Sequence, residues 1–403
     1  MNRILADMDA ETVHIHDLAV GGEGVGRLED GRAVFVAATI PGETVRVELI
    51  ERKKRWARGI CVEVLDAAPA RIEPTCEAVG RGCGGCDWQH LEVVSRSDLI
   101  RGVVDSVLQR QAGIGGECSF GGAVPAFAYR TTLRTAVRNG KAGFRAARSN
   151  DLVVVDRCEV AEVQLADLFL VDWASATEVT FRCGARTGER LVVVDPTVPD
   201  DLDIPEGVRA VGVDELSAGK RAWIHENAAG RTWRLSAESF FQSGPEAAEL
   251  LAATVGRLIA DELRAATTIA DLYSGVGLFA GALSHLTDAK WTVVESSPSA
   301  IADSRINLAD ISARFVRTDV SRFRDGPFDV VIADPPRSGL RDAGVRTIAA
   351  IRGSTVCLVS CDLGAFGRDA RQLQAAGFRW RESVALDLFP QTSHVELVSV
   401  FDR

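Results

Sequence analysis

Between Glu11 and Ala68 the apolar positions come in short alternating runs: Thr12-Val13-His14-Ile15-His16, Ala33-Val34-Phe35-Val36, Glu43 to Leu49 and Ala57 to Val64. The glycine-rich Gly21-Gly22-Glu23-Gly24-Val25-Gly26 separates the first two. A period of two is that of a half-buried strand, so four or five such runs predict a small OB-like β-barrel over residues 1–68. From Leu91 to Gln111 the period lengthens: Val93, Val94, Leu99, Ile100, Val103, Val104, Val107 and Leu108 recur at helical intervals. They predict an amphipathic helix packed on a central α+β domain spanning 69–228. Tyr129 to Arg145 interleaves apolar residues with arginines across Asn139-Gly140, a hairpin with one cationic face. Residues 160–228 hold strand-like runs such as Glu189 to Val194, but no motif that carries chemistry. From 229 to 403 strand runs alternate with helical stretches, the pattern of a doubly wound, Rossmann-like α/β domain. The predicted fold class is therefore multidomain, β and α/β.

Composition narrows the setting. The 403 residues are 46% hydrophobic and 25% charged, no apolar run approaches the length of a bilayer span, and the N-terminus lacks the basic-then-apolar design of a signal peptide. The expectation is a cytoplasmic monomer without a membrane partner. Nine cysteines in such a chain point to metal ligands or a reactive thiol rather than disulfides. A net charge of −10 excludes a uniformly basic nucleic-acid coat but not local basic patches. One such patch is Glu51-Arg52-Lys53-Lys54-Arg55-Trp56-Ala57-Arg58, five cations around a tryptophan. It reads either as a solvated loop or as a site for a phosphate backbone and a stacked base.

Candidate chemistry lies in the last domain. Cys361 follows the β-branched run Thr355 to Val359, so its thiol emerges at a strand end, where open α/β sheets bind ligands. Glu396 is a carboxylate inside an apolar segment, where burial raises its pKa and suits it to move protons. An ordinary core cysteine and an arginine-paired glutamate would look the same from these residues alone. Upstream, strand Thr268 to Tyr273 runs into the glycine turn Ser274-Gly275-Val276-Gly277, and a second strand ends in Glu295. Backbone approach at glycine and a carboxylate for ribose hydroxyls fit a nicotinamide cofactor or S-adenosylmethionine equally. Asp334-Pro335-Pro336-Arg337 separates them: a carboxylate projected past a strand end can accept a ring N–H and hold a nucleobase against a methyl donor, a task dehydrogenases do not have.

Cys76, Cys83 and Cys86 share a glycine-rich loop, and Cys158 follows much later. Four thiolates suit either zinc or a [4Fe–4S] cluster. One C-x-x-C pair with a lone fourth ligand departs from the paired motifs of a zinc ribbon and favours iron–sulfur in a structural role.

The glycine-rich turn and basic hairpin of the first domain resemble the TRAM domain, an RNA-binding barrel. Over nearly its whole length the chain resembles the RNA 5-methyluridine (uracil-C5) methyltransferase family, through Ser239-Phe240-Phe241-Gln242, Asp271 to Gly277, Glu295, Asp334 to Arg337, Ser360-Cys361 and His394-Val395-Glu396. The resemblance implies a class I methyltransferase fold with Gln242, Tyr273, Gly275, Glu295 and Asp334 lining the S-adenosylmethionine site and Asp319 near the adenine. It further implies Cys361 as nucleophile, Glu396 as base and an RNA partner, with ribosomal RNA, as in 23S enzymes, favoured over transfer RNA. Leu278 stands where many members carry an asparagine, and the Cys76 to Cys83 gap is one residue longer than usual. The competing expectations are C5 of cytosine as the target, a nicotinamide-dependent oxidoreductase and a non-catalytic RNA-binding module.

Overall fold

The computed structural model describes residues 10–403; the first nine, part of the stretch read for a signal sequence, lie outside them. Strands Glu11–Leu18, Gly24–Arg27, Ala33–Ala37, Thr44–Arg52 and Trp56–Asp66 close into a barrel, as the alternation predicts. Val13, Ile15, Val34, Val36, Val45 and Val47 fill its interior. A six-stranded sheet follows, in the order Val208–Gly212, Arg190–Asp195, Glu178–Cys183, Thr132–Arg138, Lys141–Arg145, Leu152–Val154. The predicted Asn139-Gly140 hairpin is its Thr132–Arg138 and Lys141–Arg145 pair.

The third unit is an eight-stranded sheet ordered Ala313–Arg317, Lys290–Glu295, Thr268–Leu272, Val330–Ala333, Thr355–Ser360, Glu396–Asp402, Arg379–Asp387, Ser119–Ala123. The first five strands run parallel, and Glu396–Asp402 inserts antiparallel between Thr355–Ser360 and Arg379–Asp387. Helices cover both faces, each over its own core. The strand order reverses between Thr268–Leu272 and Val330–Ala333, which opens a crevice at their carboxyl ends. Among the described residues, no helix is long and apolar enough to cross a membrane.

Two placements differ from the periodicity reading. The helix runs Arg96–Val107, and Val93 and Val94 precede it in a 3₁₀ turn, exposed. Its apolar face of Ile100, Val103, Val104 and Val107 packs with Phe366, Leu373 and Phe378 on the eight-stranded sheet, not on the central sheet. Likewise Ser119–Ala123 is the edge strand of that sheet, parallel to Arg379–Asp387. An apolar stripe tells that a helix is buried but not against which partner.

One buried ion pair ties this helix down. Arg96, 1% exposed, donates through Nε to Asp387 (2.6 Å) and through Nη2 to Asp387 (3.1 Å) and the Thr392 carbonyl (2.8 Å). Its guanidinium also lies 5.1 Å from the Trp88 ring centre. Removing one partner strands a charge in low dielectric. Arg96→Ala is therefore expected to lower the unfolding free energy by about 3–5 kcal/mol. Arg134→Ala, which breaks the solvent-exposed pair with Glu178, should cost below about 1 kcal/mol. Parallel urea titrations of the two variants check the contrast.

Candidate active site

Strand register brings the thiol and the carboxylate together. Ser360 pairs with Leu397 across antiparallel strands, so one further step sets Cys361 opposite Glu396. Cys361 lies between the strand Thr355–Ser360 and the helix Leu363–Ala375, which Asp362 caps by accepting the Ala365 N–H (2.7 Å). Glu396 is 3% exposed, and its Oε1 has no hydrogen-bond partner. Burial, reinforced by the Asp334 charge, pushes its pKa well above the ordinary carboxylate range. Burial and the Glu396 and Asp334 charges push the Cys361 thiol up to about 12, against a smaller opposing pull from Arg337. Asp334 itself, at the end of strand Val330–Ala333, is raised to about 7 by burial.

The cofactor half of the crevice is built around a loop in left-handed backbone. Tyr273 (φ 58°) and Gly275 (φ 56°) turn the chain out of strand Thr268–Leu272. The Gly275 N–H donates to Glu295 Oε2 (2.9 Å), while Glu295 Oε1 accepts from the Ser297 N–H (2.7 Å). A Cβ built on Gly275 would meet nothing within 4 Å, so the loop faces open space there. That cradle, with a carboxylate at the next strand end, fits a nucleoside-bearing cofactor. Asp319 accepts the Ser321 side-chain and backbone donors, which hold its carboxyl below the usual range, and its charge helps raise Tyr273. Gln242 is buried on the segment leading into helix Pro245–Leu258. Leu278 packs with Trp233, Phe241 and Val276 instead of facing the cradle with a polar group.

Three participants carried no role in the sequence reading. Asp271 is fully buried beneath the loop, accepts the Ala280 N–H (3.2 Å), and is pushed to about 8 by burial with help from Asp334 and Glu295. Its position inside the Asp271 to Gly277 motif was the available signal. Arg337 is the one cation among the groups acting on both Cys361 and Glu396, and its Nη2 stands 3.4 Å from His394 Nε2. Asp87, which nothing in the sequence marks, clamps the loop before Glu396 by accepting the Ser393 N–H (2.8 Å) and hydroxyl (2.6 Å). The same loop receives the Tyr129 hydroxyl at the Pro390 carbonyl (2.9 Å) and the Trp88 N–H at the Gln391 carbonyl (3.0 Å). The barrel touches it too: Gly22 (φ 81°) packs so closely that a Cβ there would fall 2.4 Å from Ser393 Cβ and 2.5 Å from Trp88 Nε1.

Cys76, Cys83, Cys86 and Cys158 line one cavity of about 60 Å³, walled largely by apolar side chains such as Leu133 and Phe144. Burial, then the neighbouring Cys158 and the other two, push Cys86 up to about 12. Among the described residues no three His, Cys, Asp or Glu side chains are placed to hold a metal ion. In the basic hairpin, Arg52 pairs with Glu11, Lys53 with Glu51 and Arg58 with Glu23, and Arg58 lies over Trp56 (5.5 Å). Among the described residues Lys54 and Arg55 make no ion pair, which leaves the hairpin tip cationic.

Comparison with known proteins agrees with this architecture. The TRAM domain family matches residues 10–62, and the family described as methyltransferase small domain matches residues 247–358. An RNA methyltransferase of Streptomyces avermitilis is 32% identical over 97% of this chain and 97% of its own. The chain belongs to the RNA methyltransferases. The 23S rRNA (uracil(1939)-C(5))-methyltransferase RlmD of Chromohalobacter salexigens is 30% identical over 98% of this chain and 90% of its own. In fold, the methyltransferase resembles the tRNA (uracil-54, C5)-methyltransferase of Pyrococcus abyssi, solved with S-adenosyl-L-homocysteine, at a TM-score of 0.73 and 24% identity, covering 96% of this chain and 99% of that one. It is an S-adenosylmethionine-dependent RNA methyltransferase.

The buried acid under the loop gives the methyltransferase a pH signature. Asp271 rises from an ordinary 3.8 to about 8 on folding, so the folded state keeps a proton that the unfolded state releases. Stability contributed by this group is complete below about pH 4 and is lost as pH rises through about 8. Asp271→Asn keeps an acceptor for Ala280 and removes the titration. Its melting temperature without cofactor should gain on wild type progressively across that window; a gap that stays constant from pH 5 to 8 would contradict the assignment.

Proposed function

We propose that this enzyme methylates C5 of uridine in 23S ribosomal RNA through a covalent adduct between Cys361 and C6 of the base. The observation that carries the reading is the strand register that sets the Cys361 thiol across from a buried, unpartnered Glu396. The ribosomal target follows the relative from Chromohalobacter salexigens, which this chain matches over nearly its whole length.

Uracil C5 is too weakly nucleophilic to take a methyl group unaided. Addition of the Cys361 sulfur to C6 breaks the C5–C6 π bond and places an electron pair on C5, conjugated with the C4 carbonyl. The resting thiol is protonated, so its proton must leave as the C6–S bond forms; Asp334, held near 7 in the same pocket, is the acceptor we assign. S-adenosylmethionine, when bound, supplies an electrophilic sulfonium methyl and one positive charge to this acidic cavity. Gly275 presents backbone to it, Glu295 is the ribose carboxylate, Asp319 and Tyr273 flank the adenine end, and Gln242 and Asp334 complete the lining. After methylation C5 bears both hydrogen and methyl. Glu396, which must first give up its own proton to solvent as the cofactor's positive charge enters the crevice, then removes the C5 proton, the electron pair re-forms the C5–C6 bond, and the C6–S bond breaks to release the thiolate. Asp87, Trp88 and Arg96 hold the loop that carries Glu396, and the target base must leave its stack to reach all three groups.

The four cysteines are proposed ligands of a [4Fe–4S] cluster. Four soft donors around one cavity walled largely by apolar side chains suit such a cluster, which would offset the repulsion among four thiolates. Protein prepared without air should show the broad visible absorption of iron–sulfur. Cys76→Ser, Cys83→Ser, Cys86→Ser and Cys158→Ser should each bleach it and Cys183→Ser should not; stoichiometric zinc in a colourless protein would refute the cluster.

Mutation separates the two catalytic roles. Cys361→Ala should neither methylate nor form an adduct, whereas Glu396→Gln should methylate and then stall, leaving RNA bound through sulfur. The readout is a shifted protein–RNA band on a denaturing gel, absent in the Cys361→Ala/Glu396→Gln double variant. Substrate carrying 5-fluorouridine should trap wild type in the same band. Nucleoside analysis yielding 5-methylcytidine in place of 5-methyluridine would transfer the chemistry to cytosine.

A further inference from the structure

The helix that begins two residues after Cys361 carries a feature that the reaction does not use. Arg368 and Arg371, on Leu363–Ala375, face Arg110 and Gln111 at the end of the turn that extends helix Arg96–Val107. With Gly364 and Gln372 these residues line an open groove of about 380 Å³ whose walls include three arginines and no acidic residue. In a chain of net charge −10 such a concentration of guanidinium groups is local and specific. Arg110 and Arg371 are only weakly occupied, whereas Arg368 is engaged. Arg110 is largely exposed and stands 3.8 Å from Asp17. Arg371 donates to the Gln111 carbonyl and makes no ion pair among the described residues. Arg368 shares Asp369 with the Leu340 and Arg341 backbone N–H groups and donates to the Ser338 carbonyl (2.7 Å).

The ends of the groove give it a direction. At one end Arg368 reaches Ser338, next to the Asp334 to Arg337 segment of the active site, and Gly364 lies three residues from Cys361. At the other, Arg110 meets Asp17 on a barrel strand. Gly364 to Gln372 spans roughly 12 Å along the helix axis. Guanidinium forks spaced along such a trough match the phosphate oxygens of an extended nucleic-acid strand.

We infer that the groove between residues 108–112 and the helix Leu363–Ala375 is a binding track for the phosphates of the RNA strand flanking the target base, leading from the barrel to Cys361. This rests on the uridine methylation proposed above and adds where the backbone lies when the base is presented. The track works by charge, so it contributes affinity and position without reading sequence.

The test uses the full-length holoenzyme and an unmodified ribosomal RNA transcript, with binding followed by fluorescence anisotropy across a salt series. Arg110→Ala/Arg371→Ala should weaken binding at least tenfold at low salt and flatten the log–log salt dependence by roughly 1.4, two single-strand phosphate contacts at about 0.7 each. The Arg110→Lys/Arg371→Lys variant should recover most of both quantities. S-adenosylmethionine affinity by calorimetry and the melting temperature should match wild type, which separates a lost contact from a damaged fold. Unchanged affinity and slope in the alanine variant, with wild type still methylating uridine, would overturn the track alone. Loss of affinity that the lysine variant does not restore would overturn the charge argument. A wild-type enzyme that transfers no methyl group to uridine would instead remove the functional reading on which the track rests.

Discussion

The catalytic half of this enzyme hangs on one buried guanidinium. Arg96 neutralises Asp387 at the end of a sheet strand, holds the Thr392 carbonyl of the loop before Glu396, and lies over the Trp88 ring of the cysteine-bearing loop. Its Nη1 has no hydrogen-bond partner, so the group is committed to these contacts rather than to solvent. A buried pair of this sort contributes little net stability relative to an apolar substitute, but it tolerates only one arrangement of its partners. Here that arrangement fixes the entry into the last strand, and with it the position of Glu396.

A second constraint is electrostatic. Asp271, Asp334 and Glu396 are buried around the crevice with raised pKa values, and the Cys361 thiol is raised beside them. Desolvation disfavours negative charge on every one of these groups, and Arg337 offsets only part of it. The carboxylates also raise one another and the thiol by repulsion, so a cationic ligand, which offsets that repulsion, suits the crevice despite its burial. The protonation of the Cys361 thiol and the binding of the methyl donor thus depend on the same acidic groups.

Much of this was legible in the chain. The barrel followed from a period of two in residues such as Val13, Ile15, Val34 and Val36, because a closed sheet gives every strand one interior face. The strand-end positions of Cys361, Glu295 and Asp334 followed from β-branched runs that stop at a polar residue or proline. The assignment of helix Arg96–Val107 to the central sheet failed, since an amphipathic stripe is indifferent to which apolar surface covers it. Asp87 and Arg96 were invisible for a related reason. Their partners, Ser393 and Asp387, lie about three hundred residues away, and a single charged residue carries no periodicity that would reveal them.

The edge strand Ser119–Ala123 bears on how the molecule is made. It and helix Arg96–Val107 leave the ribosome early, yet the surfaces they cover, Arg379–Asp387 and the core around Phe366 and Phe378, are synthesised last. Arg96 waits for a partner 291 residues downstream. Until the chain is nearly finished, an apolar helix face and an open strand edge stand uncovered, the kind of intermediate that aggregates or recruits chaperones. The barrel, whose strands pair only with one another, can close at once. Biosynthesis of this enzyme should therefore proceed as an early-folding barrel followed by a long interval, ended by the arrival of the strand Glu396–Asp402.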